Sequence, residues 1–240
     1  MIDPAGCRDA ADLNEILSAM KERARETAGN ESENTRDAQK AEWEKRKEAA
    51  NIPPRYTGCS FEGIQRKGIP QDCRDLYSAA KEYADHFRDA AKMGKGLILT
   101  GSAGRMKTTF AVAIMQEAMR QGERAYFVSM PELLDRLISM SRNADPKELQ
   151  TFTQKINHTG LLVLDDFGAE YPSGWVLNKV DAIITRRYNY LLPTIITSNL
   201  KPDEMKGRYV ARVVDRLRSA YTMIAIGGES LRPDGGFLRP

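Results

Sequence analysis

The residues best suited to chemistry form a glycine-rich segment, Gly101–Thr109, between an apolar run over residues 96–100 and an amphipathic run over 110–115. A strand, a glycine loop and a helix in that order bring backbone N–H groups together around a phosphate. The Lys107 ammonium would then reach the β- and γ-phosphates of ATP, and the Thr108 hydroxyl would hold Mg²⁺. The predicted ATP-binding residues are Gly101, Ser102, Ala103, Gly104, Arg105, Met106, Lys107, Thr108 and Thr109.

Met106 departs from the usual phosphate-loop pattern, which has glycine immediately before the lysine. Glycine allows the backbone to approach a phosphate closely and adopts conformations that methionine resists. Because Lys107 and Thr108 are present, we expect nucleotide binding to survive, with affinity or turnover reduced by the methionine side chain.

Two further predicted strands end in polar residues that suit the same chemistry. The apolar run over residues 160–164 is followed by Asp165 and Asp166, and the run over 192–196 leads to Asn199. Ligands of parallel α/β sheets bind beyond the carboxyl ends of the strands. We expect Asp165 to hold Mg²⁺, Asp166 to polarise the attacking water and Asn199 to help to place that water. The alternative is that the two acids cap the following helix.

Alternating strands and helices would position these residues. The predicted strands cover residues 96–100, 125–129, 160–165, 192–199 and 221–226. Besides the helix that opens at the glycine loop, the predicted helices cover residues 72–93, 131–141, 146–157 and 173–190, with one or two more over 202–218. This alternation predicts an α/β fold in which helices cover both faces of a parallel sheet.

The composition excludes several classes of protein. The chain has 240 residues, 41% of them hydrophobic, and a net charge of +3, so it can bury a sizeable core and contact nucleic acid. Its three widely spaced cysteines favour reduced thiols over a disulfide framework, and they do not suggest a zinc site. No apolar stretch approaches the ~18 residues that would suggest a membrane-spanning helix. We therefore expect a cytoplasmic protein without membrane contact.

Residues 1–50 differ in character from the rest of the chain. The apolar positions of residues 10–24 share one helical face. Residues 39–50 are strongly charged with both signs interleaved, which predicts a solvated helix with ion pairs between residues i and i+4. This segment is either a mobile arm or a helical module that binds a partner. Adjacent prolines at 53 and 54 predict an extended linker over residues 51–71, and residues 72–240 then form the nucleotide-binding domain.

Residues 51–232 resemble the AAA+ helicase-loader family of the DnaC/DnaI type and its transposon relative, the IstB ATPase. The resemblance rests on Ile52–Tyr56 with Phe61, Leu162–Glu170, Arg186–Tyr188, Leu192–Leu200 and Val213–Arg218. It implies an ATPase core, an AAA+ P-loop fold, with sheet order 5-1-4-3-2. It also implies that the N-terminal helical module, residues 1–50, grips a hexameric replicative helicase of the DnaB type.

The resemblance also implies roles for two arginines. Arg216 stands where the family places an arginine finger, which enters the ATP site of a neighbouring subunit and so implies self-association. Arg232 stands near the arginine that contacts the γ-phosphate from within the same chain. The alternative for Arg216 is a surface arginine paired with Asp215.

Single-stranded DNA is a further partner that the resemblance implies. The segment that includes Ser173 and Trp175 overlaps the family's DNA-contacting element, so Trp175 would stack on a base and Ser173 would bond a phosphate. Lys179, Arg186 and Arg187 would add positive charge on the following helix. Trp175 packing on the sheet, and Arg186 and Arg187 serving a subunit interface, are the alternatives.

Three functions are compatible with these features, and we predict the first, with the other two as alternatives. The first is ATP-dependent loading of a replicative helicase onto single-stranded DNA during the initiation of replication. The second is an ATPase that helps a transposase, as IstB does. The third is a nucleotide-gated adaptor that binds the helicase and hydrolyses little ATP.

Overall fold

The computed structural model describes residues 36–143, 145–228 and 230–231 of the chain. Internal contacts divide the chain into two units, Met1–Glu48 and Ala49–Pro240. Helix α1 covers residues 36–49 and confirms the charged helix predicted over 39–50. An ion pair on this helix joins Lys47 Nζ to Glu44 Oε1 at 2.8 Å, at i,i+3 spacing and not at the predicted i,i+4 spacing. The amphipathic helix predicted over 10–24 lies outside the described residues.

One parallel sheet of five strands forms the centre of the second unit. Its strands are β1 (Gly96–Gly101), β2 (Ala125–Ser129), β3 (Leu161–Asp165), β4 (Thr194–Ser198) and β5 (Tyr221–Ile226). Their order across the sheet is β2-β3-β4-β1-β5, which is the predicted order 5-1-4-3-2 read from the opposite edge. β1 therefore lies between β4 and β5, and Leu97 is in register with Ile195 on one side and Thr222 on the other.

Helices connect these strands, as the alternation predicts, and further helices precede β1. They are α2 (Phe61–Arg66), α3 (Arg74–Asp85), α4 (Phe87–Lys92), α5 (Lys107–Arg120), α6 (Met130–Asn143), α7 (Pro146–His158), α8 (Gly174–Asn189), α9 (Pro202–Arg208) and α10 (Ala211–Ala220). The single helix predicted over residues 72–93 is wrong, because the helix breaks at His86 into α3 and α4. Among the described residues, no helix is both long and apolar enough to cross a membrane.

The extended linker predicted over residues 51–71 is wrong in its local structure. Residues Pro54–Tyr56 form a 3₁₀ turn, since proline is tolerated at the first position of a helix, and α2 follows with Ser60 as its N-cap. Phe61 and Ile64 of α2 are buried. The side chain of Gln116 on α5 donates a hydrogen bond to Cys59 O at 2.8 Å. This segment is therefore packed against the sheet domain.

The hydrophobic core lies on both faces of the sheet. Helix α5 is buried along most of its length, as expected for the helix that follows the glycine loop. A second cluster joins the sheet to α6–α10 through Ile98, Leu164, Ile196 and Leu217, each at most 4% exposed. With both faces covered, the polar residues that follow β1, β3 and β4 meet at the carboxyl edge of the sheet.

Candidate nucleotide site

Lys107 lies where the glycine loop meets the next helix. β1 ends at Gly101 and α5 begins at Lys107, so the loop joins a strand directly to a helix N-terminus as predicted. The Lys107 ammonium donates hydrogen bonds to Gly101 O at 2.8 Å, to Ser102 O at 2.7 Å and to Asn199 Oδ1 at 2.8 Å. The structure thus brings together the loop lysine and the polar residue at the end of β4.

Thr108 and Asp165 meet at the point where the sequence predicts a metal. Asp165 Oδ1 accepts hydrogen bonds from Thr108 Oγ1 at 2.9 Å and from Thr197 Oγ1 at 2.6 Å. Burial raises the pKa of the Asp165 carboxyl, and the two hydroxyl hydrogen bonds oppose that shift. A buried carboxylate of this kind is stabilised by a nearby cation. Sequence analysis missed the role of Thr197, which orients this carboxylate.

The oxygen ligands at this point fit Mg²⁺. Mg²⁺ prefers hard oxygen donors and usually keeps several waters, with one or two protein ligands and the substrate phosphates completing its shell. Thr108 Oγ1 and Asp165 Oδ1 supply two such oxygens. In the described part of the chain, no group of three or more His, Cys, Asp or Glu side chains could hold a metal ion. A cation here would therefore depend on phosphate and water for its other ligands.

Asp166 is exposed and lies beside Asn199 at the same cavity. Its backbone is left-handed, with φ 53°, and its N–H donates to Thr197 Oγ1 at 3.0 Å. The alternative that the two acids cap the next helix is wrong, because Ser173 Oγ caps α8 by accepting from Val176 N at 3.3 Å. Asp166 is left to face the cavity with its carboxylate available to a ligand.

A cavity of about 380 Å³ opens at this edge of the sheet. It is lined by residues 103–109 of the glycine loop together with Asp166 and Asn199. Arg55, Tyr56 and Lys67 also line it, and sequence analysis missed them as site residues because it assigned residues 51–71 to a linker. The signal was present in the motif Ile52–Tyr56, which carries part of the family resemblance.

Residues 230 and 231, which follow β5, contact the glycine loop. Leu231 N donates to Gly104 O at 3.1 Å, and Gly104 has φ 80°, which favours glycine. A Cβ atom at Gly104 would collide with the side chain of Ser230. Arg232, the residue that follows, lies outside the described residues, so its γ-phosphate contact stays a prediction.

Arg105 lines the cavity, but its side chain is directed into the protein. The guanidinium is 1% exposed and forms an ion pair with Asp72, beside Cys73 Sγ at 3.5 Å. Arg105 therefore anchors the glycine loop to the start of α3, and a nucleotide would meet its backbone rather than its charge.

Met106 has the backbone conformation for which the loop pattern uses glycine. Its φ is 59° and its ψ is 11°, in the left-handed region. For an L-residue with a Cβ this conformation costs roughly 1–2 kcal/mol. The departure from the sequence pattern is therefore accompanied by local backbone strain at Met106, the N-cap residue immediately before α5.

Replacing Met106 with glycine should relieve that strain. We expect Met106→Gly to increase the free energy of unfolding by about 0.5–1 kcal/mol, since the relief exceeds the added entropy of the unfolded chain. We also expect tighter nucleotide binding or faster turnover. Thermal unfolding and titration with a fluorescent ATP analogue measure these effects. Met106→Ala is the matched control because it keeps the Cβ and the strain. Equal behaviour of the two variants would contradict the conformational explanation.

Arg216 lies on α10 and is not among the residues that line the cavity of its own chain. Its Nη1 donates to Arg212 O at 2.9 Å, and its guanidinium lies 5.8 Å from the centre of the Tyr188 ring. Arg216 does not reach the cavity of its own chain, and its role as an arginine finger in a neighbouring subunit stays a prediction.

The predicted DNA-contacting residues lie at the start of α8. Ser173 is its N-cap, so its hydroxyl is engaged with the helix, while Trp175 is 38% exposed. The Lys179 ammonium lies 5.5 Å from the centre of the Trp175 ring. Trp175 and Lys179 thus form one accessible aromatic and cationic surface.

The prediction that Arg187 contributes charge for DNA or for a subunit interface is wrong. The Arg187 side chain is fully buried and donates to Thr194 Oγ1 at 2.8 Å. It also donates to the carbonyl oxygens of Ile156, Thr159 and Pro193. Burial lowers the pKa of Arg187 to about 10, which leaves the side chain protonated at neutral pH. Arg187 is therefore a structural residue.

Together these features define a P-loop nucleotide-binding protein of the AAA+ type. A family model described as IstB-like ATP binding protein matches residues 29–234, and the chain belongs to that family. The resemblance inferred from the sequence motifs is thereby confirmed.

Curated relatives include the replicative helicase loader DnaI of Bacillus subtilis (strain 168), 28% identical over 173 residues, which cover 65% of this chain and 53% of that protein. The replicative helicase loader DnaC of Escherichia coli (strain K12) is 25% identical over 169 residues, 70% of this chain and 66% of that protein. The chain thus spans about half to two thirds of the length of these two relatives.

Solved structures support the same fold. A crystal structure of the DnaC helicase loader superimposes with a TM-score of 0.65 at 26% identity, covering 73% of this chain and all of that one. The replication initiator DnaA bound to AMPPCP and single-stranded DNA gives a TM-score of 0.59 at 19% identity, covering 74% of this chain and 51% of that one. The second similarity is one of fold alone.

Proposed function

We propose that this protein is an ATPase that loads a hexameric replicative DNA helicase onto single-stranded DNA. The observation that carries the proposal is the convergence of Lys107, Thr108 and Asn199 at one cavity, with the buried Asp165 hydrogen bonded to Thr108. These side chains supply the phosphate contact, the metal oxygens and the polar strand end that phosphoryl transfer requires. The relatives named as helicase loaders provide the biological setting for that chemistry.

In the proposed mechanism the glycine loop holds the ATP phosphates. Lys107 exchanges its present carbonyl and amide partners for β- and γ-phosphate oxygens, while Thr108 and Asp165 provide protein ligands for Mg²⁺. Mg²⁺, when bound, neutralises charge that develops on the phosphates. Asp166 polarises the attacking water, and Asn199 orients it toward the γ-phosphate.

Assembly and DNA contact complete the proposal. Arg216 of one subunit would enter the ATP site of its neighbour, and Arg232 would contact the γ-phosphate from its own chain. Single-stranded DNA would bind the surface at the start of α8, where Trp175 offers a face for stacking and Lys179 a cation for phosphate. The Ser173 oxygen accepts from Val176 N, so its hydroxyl hydrogen would be the group donated to a phosphate.

We assign helicase binding to the N-terminal unit, Met1–Glu48. A truncation that tests this assignment has to leave the sheet domain intact. Phe127 N on β2 donates to Ala50 O at 2.9 Å, and Asn51 Nδ2 donates to Phe127 O at 2.9 Å. Removing residues 1–50 would therefore damage the edge of the sheet. A truncation of residues 1–48 removes the first unit and keeps these bonds.

Deletion of residues 1–48 is expected to abolish co-purification with the host's replicative helicase while nucleotide binding is retained. The physical reason is that an amphipathic helix such as the one predicted over 10–24 cannot bury its apolar face alone. A full-length variant with serine at Leu13, Ile16 and Leu17 should lose the complex as well. Glu42→Ala, at an exposed position of α1, is the control. An intact complex with the truncated protein would contradict the assignment.

A transposition helper of the IstB kind is the second candidate, and the matching family model favours it. The same chemistry would then serve a transposase instead of a helicase. Co-purification separates the two, because the helper would bring down a transposase and leave the helicase behind. The third candidate, an adaptor that hydrolyses little ATP, shares the helicase partner and differs in turnover.

A further inference from the structure

Glu170 is a buried carboxylate outside the nucleotide cavity, and its side chain is 2% exposed. One oxygen accepts a hydrogen bond from Gly168 N at 2.9 Å. The other accepts from the Tyr209 hydroxyl and lies 3.7 Å from Arg208 Nε. Arg208 also donates to the backbone carbonyl of Glu170. Each oxygen of this buried carboxyl group therefore has its own hydrogen-bond donor, which offsets the cost of burying it.

Its first partner belongs to the turn that carries Asp166. In this turn Ala169 N donates to Asp166 O at 3.0 Å, and Phe167 N donates to Thr197 O at 2.8 Å. Gly168 has φ 96°, and a Cβ there would collide with Leu200. The turn is therefore fixed on one side by the end of β4 and on the other by Glu170.

Its second set of partners, Arg208 and Tyr209, precedes helix α10. Tyr209 is 5% exposed, and its ring packs on that of Phe167 with 4.6 Å between ring centres. Burial and the hydrogen bond to Glu170 raise the pKa of Tyr209, so its hydroxyl remains a donor at neutral pH. α10 begins at Ala211, two residues after Tyr209, and carries Arg216.

We propose that Glu170 is a positioning residue that couples the nucleotide site to the helix of Arg216. With Tyr209 it fixes the Asp166 turn to the start of α10, so that a nucleotide that moves the turn also moves Arg216. The inference rests on the proposed function, which places Asp166 in one ATP site and Arg216 in the next. Glu170 would thus link the ATP site that contains Asp166 to the Arg216 side chain that enters the next ATP site, two features that lie in separate sequence motifs.

Tyr209→Phe tests the connection because it removes the hydroxyl that donates to Glu170 and keeps the aromatic ring. Amide hydrogen exchange of α10 is measured in the full-length protein without nucleotide and with AMPPCP. We expect AMPPCP to change exchange in α10 of the unmodified protein, and this change to fall at least about twofold in the variant. Turnover should drop about tenfold with KM unchanged, the loss expected for one hydrogen bond to a charged group.

Tyr171→Phe is the matched control, because Tyr171 is 84% exposed and adjoins Glu170 in the chain. If Tyr209→Phe does not fold, Glu170→Gln carries the same measurement. If AMPPCP does not change amide exchange in α10 of the unmodified protein, the inference is overturned. It is also overturned if the Tyr209→Phe substitution raises α10 exchange equally with and without AMPPCP, because that result indicates a structural role alone. Absence of ATP turnover in the unmodified protein would instead count against the proposed function, and the exchange measurement would still decide the inference.

Discussion

Asp166→Asn is expected to lower ATP turnover by about a thousandfold while the affinity for ATP changes by less than about threefold. Asparagine has nearly the same shape as aspartate and leaves the turn's backbone bond to Thr197 in place. It lacks the negative charge that polarises water. Because Asp166 is exposed at the cavity and the proposed mechanism assigns the phosphates to Lys107, the loss should fall on the chemical step and not on binding. Steady-state hydrolysis and a fluorescent-nucleotide titration separate the two quantities.

Two other substitutions sharpen this test. Asp165→Asn should weaken nucleotide binding in the presence of Mg²⁺, because it removes a carboxylate that the cation would need. Asp135→Asn, at an exposed position of α6, should change neither quantity. Turnover that survives Asp166→Asn would remove this residue from the mechanism. An unmodified protein that binds ATP without hydrolysing it, with or without single-stranded DNA, would favour the adaptor.

Arg187→Met is expected to lower the free energy of unfolding by about 3 kcal/mol, which corresponds to a fall in Tm of about 10 °C for a domain of this size. Methionine fills part of the volume but donates no hydrogen bond. Arg187 links the end of α7 to the start of β4 by donating to three carbonyl oxygens, and methionine would leave all three without this donor. They belong to Ile156, Thr159 and Pro193. Thermal and urea unfolding measure the change.

Arg186→Met is the control for this prediction, because Arg186 is the preceding residue on the same helix. Its guanidinium lies 4.4 Å from the centre of the Tyr190 ring and contacts His158 Nε2 at 3.0 Å, near the surface. Exposed contacts of this kind contribute less than about 1 kcal/mol. If both variants lose the same stability, the burial of Arg187 is not the cause of its effect.

Local pattern is sufficient to predict most of the sheet domain. The strand predicted over residues 221–226 and the helix predicted over 146–157 are confirmed, the first as β5 and the second within one residue as α7. The glycine loop is likewise local, because its chemistry is contained in nine consecutive residues. Since the carboxyl ends of parallel strands share one edge of the sheet, the sequence also predicts that Asp165 and Asn199 lie beside the loop.

The errors arise where distant parts of the chain meet. Arg187 resembles any surface arginine in sequence, and its burial depends on carbonyl oxygens from α7 and from the start of β4. The prolines of residues 51–71 favour an extended chain, yet Phe61 and Ile64 pack into the domain. Arg105 belongs to the nucleotide motif, while its side chain pairs with Asp72, which precedes α3. Each side chain's partner is set by tertiary contacts that no local window contains.

The position of β1 in the middle of the sheet has a consequence for how the protein is made. β1 and its glycine loop leave the ribosome early, but both neighbours of β1, β4 and β5, are synthesised later. The oxygen of Asn199 that holds Lys107 belongs to the same late part of the chain. Non-local pairing of this kind is slow and leaves strand edges exposed meanwhile. The nascent chain should therefore acquire its ATP site only after β4 and β5 have been synthesised, and ATP could not assist the folding of the segments made before them.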